Sequence, residues 1–133
     1  MRSATPKVLH TLAGRSMLGH AMTAARELEP QRLAVVVRHG RDAVAAHALE
    51  VDPGALVVDQ DDVPGTGRAV QCALEALDAA AHADAARSGE GATQLEGSLL
   101  VVAGDTPLLD AATLGELHAA HVADGNAVTL LTT

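Results

Sequence analysis

Two kinds of apolar pattern alternate along the chain. Short, mainly apolar runs, typical of parallel strands buried on both faces, occupy residues 33–37, 55–58, 98–102 and 127–131. Apolar residues at helical spacing occupy the segments before and between these runs, including a short helix over residues 41–49. Because strands and helices alternate, the pattern predicts an α/β fold with a mainly parallel sheet.

Capping and helix-breaking residues set the limits of these elements. Ser16 is expected to cap a first helix that Pro30 ends, and Asp110 is expected to cap the last helix. Residues 1–14 have mixed polarity, which predicts a loop. A helix that opens after Gly67 is expected to run to about residue 80 and to fade into a surface insertion over residues 81–97. The length predicts one domain over residues 1–133.

Composition narrows the classes of possible partner. Phe, Tyr and Trp are absent, so the aromatic platforms on which single-stranded nucleic acids stack are missing. A formal net charge of -8 disfavours nucleic acid and anionic membrane surfaces. The charge is uneven, since residues 1–26 hold four cations and no acid, whereas the remaining five cations accompany 17 acids. The N-terminal segment is therefore the part of the chain suited to a phosphate ligand.

Cysteine usage and hydropathy both favour the cytoplasm. Cys72 is the only cysteine, so no intramolecular disulfide can form and a reducing compartment is favoured. No apolar run approaches transmembrane length, and the first residues lack the apolar region of a secretory signal. We therefore expect a cytoplasmic protein that binds neither nucleic acid nor membrane.

Three polar loops follow or precede elements in the way that an open α/β sheet places its ligands. They are Thr-Pro-Lys-Val-Leu-His at residues 5–10, the Gly-rich loop at residues 60–67, and Gly-Asp-Thr-Pro-Leu-Leu at residues 104–109. Ligands of such sheets occupy crevices beyond the carboxyl ends of the strands. From the residues alone, Lys7 can also be a solvated lysine, residues 65–67 a simple helix cap, and Asp105 the cap of a turn.

The motifs in these loops carry a family resemblance. The run Thr-Pro-Lys-Val-Leu-His-Thr-Leu-Ala-Gly-Arg-Ser-Met at residues 5–17 resembles the segment after the glycine-rich signature of the UDP-N-acetylglucosamine pyrophosphorylases. Gln60, the Gly-Thr-Gly of residues 65–67 and the Gly-Asp-Thr-Pro-Leu of residues 104–108 are similar to that family's next two motifs, in order. The resemblance implies a Rossmann-like, mainly parallel sheet of the nucleotidyltransferase (GT-A-like) type.

The resemblance also implies that the chain is a fragment of a longer protein. Family members begin with a strand and a Leu-Ala-Ala-Gly-x-Gly-Thr-Arg-Met loop, whose tail the first three residues resemble. We therefore expect an incomplete sheet that lacks its first strand, through truncation or a misplaced start. Sugar-binding residues, and the C-terminal β-helix through which the parent is expected to be a homo-oligomer, would follow residue 133. The isolated chain is expected to be inactive and poorly stable.

The family's site residues carry over to five positions. Lys7 resembles the lysine that contacts the nucleotide phosphates and can stabilise departing pyrophosphate, so it is the candidate catalytic residue. Gln60 matches a glutamine that contacts uracil, and Gly65 and Thr66 allow close approach to the base and ribose. Asp105 matches a ligand of Mg²⁺, a hard cation that takes carboxylate oxygens.

Two positions depart from the family, and other chemistries lack their motifs. Arg68 stands where a histidine is usual, and Ala103 stands where other members carry a side chain able to reach the ligand. His118 and His121 lie three apart on one predicted helix, but no third ligand at a defined spacing accompanies them, which disfavours zinc. The sequence contains no Gly-x-Ser-x-Gly, Walker A or complete Gly-x-Gly-x-x-Gly motif.

The resemblance implies nucleotidyl transfer with Mg²⁺ as cofactor. UTP and N-acetylglucosamine 1-phosphate are the implied substrates, and UDP-N-acetylglucosamine, a peptidoglycan precursor, and pyrophosphate are the products. Because the family's sugar-binding residues are not in the sequence, another sugar- or alditol-phosphate nucleotidyltransferase stays open. An inactive fragment that binds nucleotide weakly stays open as well.

Overall fold

The computed structural model describes residues 5–89, 91 and 95–132. After a 3-10 turn at Lys7–Leu9, the elements in chain order are β1 (Thr11–Leu12), β2 (Arg15–Ser16), α1 (Met17–Arg26), β3 (Ala34–Val37), α2 (Arg41–Val51), β4 (Leu56–Asp59), α3 (Thr66–Ser88) and α4 (Ala111–Ala123). The chain packs as two compact units. We name them the hairpin unit, residues 7–31 with 98–133, and the sheet unit, residues 1–6 with 32–97.

A parallel pair of strands forms the centre of the sheet unit. Strand β3 pairs with β4, with Ala34 opposite Leu56 and Val37 opposite Asp59. Helices α2 and α3 both pack on this pair. The buried apolar side chains of the unit are Val35, Val37, Val44, Ala45, Ala48, Ala55, Val58, Cys72, Leu77 and Ala85. Parallel strands covered by helices are the arrangement that the alternating pattern predicts.

Helices α1 and α4 pack against each other in the hairpin unit. Both are capped by the predicted residues, since Ser16 Oγ accepts a hydrogen bond from Gly19 N at 2.8 Å and Asp110 Oδ1 accepts one from Thr113 N at 2.8 Å. These bonds satisfy main-chain donors that the first helical turn leaves free. The buried apolar side chains of the unit are Leu18, Ala21, Met22 and Ala24 of α1 and Leu114 of α4.

Two predicted strands are not strands in the structure. Residues 98–102 and 127–131 pair with no strand among residues 5–89, 91 and 95–132. Leu99, Val101 and Val128 are 51%, 61% and 72% exposed. A strand exists only where a neighbour exchanges main-chain hydrogen bonds with it, and an apolar run carries no information about that neighbour. The apolar pattern therefore overestimates the strand content of the hairpin unit.

A short hairpin begins within the segment predicted as a loop and ends two residues after it. Strands β1 and β2 pair antiparallel, with Thr11 opposite Ser16. The turn between them holds Ala13 at φ 51° and Gly14 at φ 82°. Two consecutive positive φ angles are typical of the type I′ turns that connect two-residue hairpins, and an alanine at the first position hides this signal in the sequence.

Three helices end at other residues than predicted, among them α2, which continues to Val51. Helix α1 ends at Arg26, before Pro30. Helix α3 continues through Ser88 and ends at Gly89, where φ is 75°, so the first part of the predicted insertion is helical. Residues 90 and 92–94 of that insertion lie outside the described residues. In the described part of the chain, no helix has the length and apolarity needed to cross a membrane.

Candidate nucleotide and metal site

The structure brings two of the predicted site residues together in the hairpin unit. Lys7 Nζ donates a hydrogen bond to Asp105 Oδ2 at 2.7 Å, although the two residues lie 98 positions apart in the chain. The Lys7 side chain is 74% exposed and that of Asp105 is 38% exposed. An ammonium and a carboxylate therefore meet where solvent, and hence a ligand, can reach both.

Apolar packing explains why these two side chains meet. A Cβ atom at Gly104 would lie 3.5 Å from Leu18 Cδ1 and 3.6 Å from Val8 Cγ1, so both side chains lie close to the main chain before Asp105. Val8 is the neighbour of Lys7 in the 3-10 turn, and Leu18 is a buried residue of α1. Because Val8 lies close to Gly104, the neighbouring residues Lys7 and Asp105 lie close together as well.

Hydrogen bonds from Thr106 close the turn that carries Asp105. Thr106 N and Thr106 Oγ1 donate to Ala103 O at 3.4 and 2.6 Å. The turn therefore does not depend on the Asp105 carboxylate, which faces Lys7 instead. Residue 103 contributes only its main-chain carbonyl group to this turn, so the role does not depend on which side chain it carries.

Lys7 lowers the pKa of the Asp105 carboxyl group. The hydrogen bond from the Lys7 ammonium, helped by its positive charge, holds the pKa of Asp105 below the ordinary value of 3.8. A lowered pKa means that the pair favours the folded state above about pH 4, and that this contribution is lost as the pH falls through the lowered pKa. Because both side chains are exposed, solvent and salt screen the pair and its effect on stability is small.

Removing the Lys7 charge should raise the pKa of Asp105. In Lys7→Met we expect the carboxyl pKa to return toward 3.8, because both the hydrogen bond and the nearby charge are lost. A ¹³C NMR titration of the side-chain carboxyl groups measures it directly. Arg15→Met is the matched control, since Arg15 donates to Thr23 Oγ1 at 3.2 Å, and it should leave the value unchanged. An unchanged Asp105 pKa in Lys7→Met would contradict the ion pair.

Asp105 is suited to be the single carboxylate ligand that a protein contributes to Mg²⁺. This ion usually keeps several waters and takes one or two carboxylates together with substrate phosphates. Within residues 5–89, 91 and 95–132, no group of three or more His, Cys, Asp or Glu side chains is arranged to hold a metal. An ionised and partly exposed carboxylate suits a cation that arrives with a nucleotide. Such a cation would compete with Lys7 for the Asp105 oxygens.

The other three predicted site residues lie in one loop of the sheet unit, which we name the nucleotide loop (residues 60–66). It joins β4, which ends at Asp59, to α3, which begins at Thr66 with Gly65 as its N-cap residue. Gly65 has φ 115°, and a Cβ atom there would meet nothing within 4 Å. Only glycine adopts this backbone conformation readily. The loop therefore presents open main chain at a helix N-terminus, where N–H groups attract anions.

The Gln60 amide group closes this loop on itself. Gln60 Nε2 donates to Val63 O at 2.9 Å and to Gly65 O at 3.1 Å, which uses both amide hydrogens. The side-chain carbonyl oxygen is the part left for a base. The family resemblance places Gln60 at uracil and does not indicate this internal role, for which the turn-forming Pro64 and Gly65 were the available signal. The pair of Asp61 with Arg68, which joins the same loop to α3, was not predicted either.

The whole chain matches one family of domains. Residues 1–133 match the MobA-like NTP transferase domain. The bifunctional protein GlmU of Paenarthrobacter aurescens is 57% identical over 132 residues, and the GlmU proteins of Kineococcus radiotolerans and Streptomyces coelicolor are 54% and 48% identical over the same length. Each match covers 99% of this chain and 24% of the relative, so the chain spans about a quarter of the length of these relatives. The chain belongs to the family of MobA-like NTP transferase domains.

Proposed function

We propose that the protein is a sugar-phosphate nucleotidyltransferase that uses UTP and N-acetylglucosamine 1-phosphate. The observation that carries the proposal is the contact between Lys7 and Asp105 at 2.7 Å, in a chain of an NTP transferase family. Transfer of a nucleotidyl group requires a cation for the growing negative charge and a carboxylate that can hold Mg²⁺. The pair supplies both groups from segments that are distant in sequence.

The reaction needs alignment and charge neutralisation more than it needs a protein nucleophile. A phosphate oxygen of the sugar phosphate attacks the α-phosphorus of UTP, and the bond from that phosphorus to the β-phosphate oxygen breaks. Pyrophosphate leaves with the electron pair, and UDP-N-acetylglucosamine forms. The sugar phosphate is already an anionic nucleophile, so no covalent enzyme intermediate is required.

Lys7 and Asp105 have complementary tasks in this scheme. Lys7 is 74% exposed on a flexible stem, so its ammonium can leave Asp105 and donate to a phosphate oxygen on which charge grows. Asp105 then presents a free carboxylate that would hold Mg²⁺. When bound, that ion neutralises charge on the triphosphate and on the departing pyrophosphate.

The nucleotide loop supplies the contacts to uridine. With both amide hydrogens of Gln60 engaged inside the loop, its carbonyl oxygen is an acceptor only. An acceptor suits the N3–H donor of uracil and disfavours cytosine, whose N3 is itself an acceptor. Gly65 and Thr66 offer close main-chain approach and a hydroxyl group to the base and ribose.

A substrate panel tests the proposal. The intact protein, meaning the longer protein of which this chain is expected to be a fragment, is assayed with Mg²⁺ for pyrophosphate release and nucleotide-sugar formation. The nucleotides are UTP, CTP, ATP, GTP and dTTP, each tested against several sugar and alditol phosphates. We expect kcat/KM for UTP with N-acetylglucosamine 1-phosphate to exceed that of every other pair by about tenfold or more. Preference for another pair would replace the substrates but keep the reaction type. Absence of pyrophosphate from every pair would contradict nucleotidyl transfer.

A further inference from the structure

An ion pair fastens the nucleotide loop to the first turn of α3. Asp61 Oδ2 accepts hydrogen bonds from Arg68 Nε at 2.8 Å and from Arg68 Nη2 at 2.5 Å. Asp61 Oδ1 accepts one from Val63 N at 3.1 Å. One carboxylate group therefore joins a helical side chain to the main chain of the loop.

This pair is better shielded than the Lys7–Asp105 pair. The difference lies in the cation, since the Arg68 side chain is 24% exposed and that of Lys7 is 74% exposed, whereas the carboxylates of Asp61 and Asp105 are similarly exposed at 42% and 38%. Shielding reduces the screening that weakens surface ion pairs. The hydrogen bond from Arg68 also lowers the pKa of Asp61, which favours the charged carboxylate that the pair requires.

Two further contacts restrain the same loop. Arg38 Nη2, just beyond the end of β3, donates to Asp62 O at 3.1 Å. Gln60 Nε2 holds the carbonyl groups of Val63 and Gly65. The loop is thus fixed through its main chain at several points. Asp61 connects the loop to the helix, because its Oδ1 binds the loop main chain and its Oδ2 binds Arg68 of α3.

Arg68 is directed at carboxylates of its own chain. Besides the two donors on Asp61, its Nη1 donates to Glu75 Oε1 at 3.3 Å. The open side of the loop lies elsewhere, since Cβ atoms at Gly65 and Gly67 would meet nothing within 4 Å. Arg68 therefore acts on the loop, and the glycines face the space that a ligand can use.

We propose that Asp61 and Arg68 are positioning residues that hold the nucleotide loop ready for the nucleotide, an inference that rests on the proposed nucleotidyl transfer. A loop that is ordered before binding loses less conformational entropy when the ligand arrives. Loss of the pair should therefore weaken nucleotide binding. The chemical step, which depends on Lys7 and Asp105 in the hairpin unit, should keep its rate.

Steady-state kinetics of the intact protein test this division. Asp61→Asn, which can still accept from Val63 N, and Arg68→Gln should each raise the KM for UTP about tenfold, with kcat within twofold of the parent. The double variant should be no worse than either single variant, because both remove the same interaction. Arg68→Lys should recover part of the loss. Asp78→Asn is the matched control: it makes the same chemical change on α3, where Asp78 pairs with His82, and it should leave the KM unchanged.

Amide hydrogen exchange without nucleotide separates this inference from the proposed function. Asp61→Asn should speed exchange at Val63 and its loop neighbours, because the tie to α3 is gone. Unchanged exchange, or a loss of kcat with an unchanged KM, would overturn the positioning role whatever the substrate is. If the unsubstituted protein binds none of the nucleotides, the proposed function and the link of this loop to nucleotide are both overturned. Amide hydrogen exchange would still show whether the pair of Asp61 and Arg68 holds the loop.

Discussion

Asp105→Asn is expected to lower Mg²⁺-dependent turnover about a hundredfold or more, which corresponds to about 2.7 kcal/mol in activation free energy. A neutral amide keeps the size of the side chain but is a poor ligand for a hard cation. The fold should be retained, because Thr106 rather than Asp105 closes the turn. The measurement is kcat for pyrophosphate release at saturating substrates over a range of Mg²⁺ concentrations, with circular dichroism as the check on folding.

Asp110→Asn is the matched control for that experiment. It makes the same chemical change five residues away, at a carboxylate that caps α4 through Thr113 N. Asparagine caps helices as well as aspartate does, so turnover should stay within about twofold of the parent. Turnover of Asp105→Asn within about threefold of the parent, or about 0.7 kcal/mol, would contradict the metal role of Asp105.

Lys7→Ala is expected to slow turnover about a hundredfold at saturating substrates, the usual effect of removing one group that stabilises transition-state charge. Arg15→Ala removes a cation from the same N-terminal segment, where Arg15 contacts Thr23, and should keep most of the activity. The quantity measured is kcat with UTP and the sugar phosphate. Equal losses in Lys7→Ala and Arg15→Ala would indicate a general effect of charge rather than a contact made by Lys7.

The Mg²⁺ dependence distinguishes the two site variants. Asp105→Asn should raise the Mg²⁺ concentration needed for half-maximal turnover, because a ligand is lost. Lys7→Ala should not raise it, because the variant removes the ammonium that otherwise occupies Asp105 Oδ2. An increased Mg²⁺ requirement in both variants would contradict the separate tasks that we assign to the two residues.

Local signals in the sequence predicted the starts of α1 and α4 and the centre of the sheet unit. Ser16 and Asp110 cap α1 and α4 as expected, since a cap depends on residues within one helical turn. The apolar runs at 33–37 and 55–58 also became the parallel pair β3 and β4. These elements are predictable because the residues that determine each of them are adjacent in sequence.

Contacts between distant segments were not predictable from the apolar pattern. The pairing of Lys7 with Asp105 spans 98 positions, and the two residues could be assigned to one site only through the family resemblance. The run at 98–102 has the composition of a strand, yet strand formation depends on a partner that its own residues do not specify. The closure of the nucleotide loop by Gln60, Asp61 and Arg68 depends on side-chain directions that spacing alone does not give.

The fate of the UTP phosphates tests the proposed reaction most directly. The intact protein is incubated with Mg²⁺, N-acetylglucosamine 1-phosphate and UTP labelled at either the α- or the γ-phosphate, and the products are separated by chromatography. Nucleotidyl transfer predicts that the α-label appears in UDP-N-acetylglucosamine and the γ-label in pyrophosphate, with both products lost in Asp105→Asn. Appearance of the γ-label in orthophosphate or on the sugar, with no α-label in a nucleotide sugar, would contradict nucleotidyl transfer as the function of this protein.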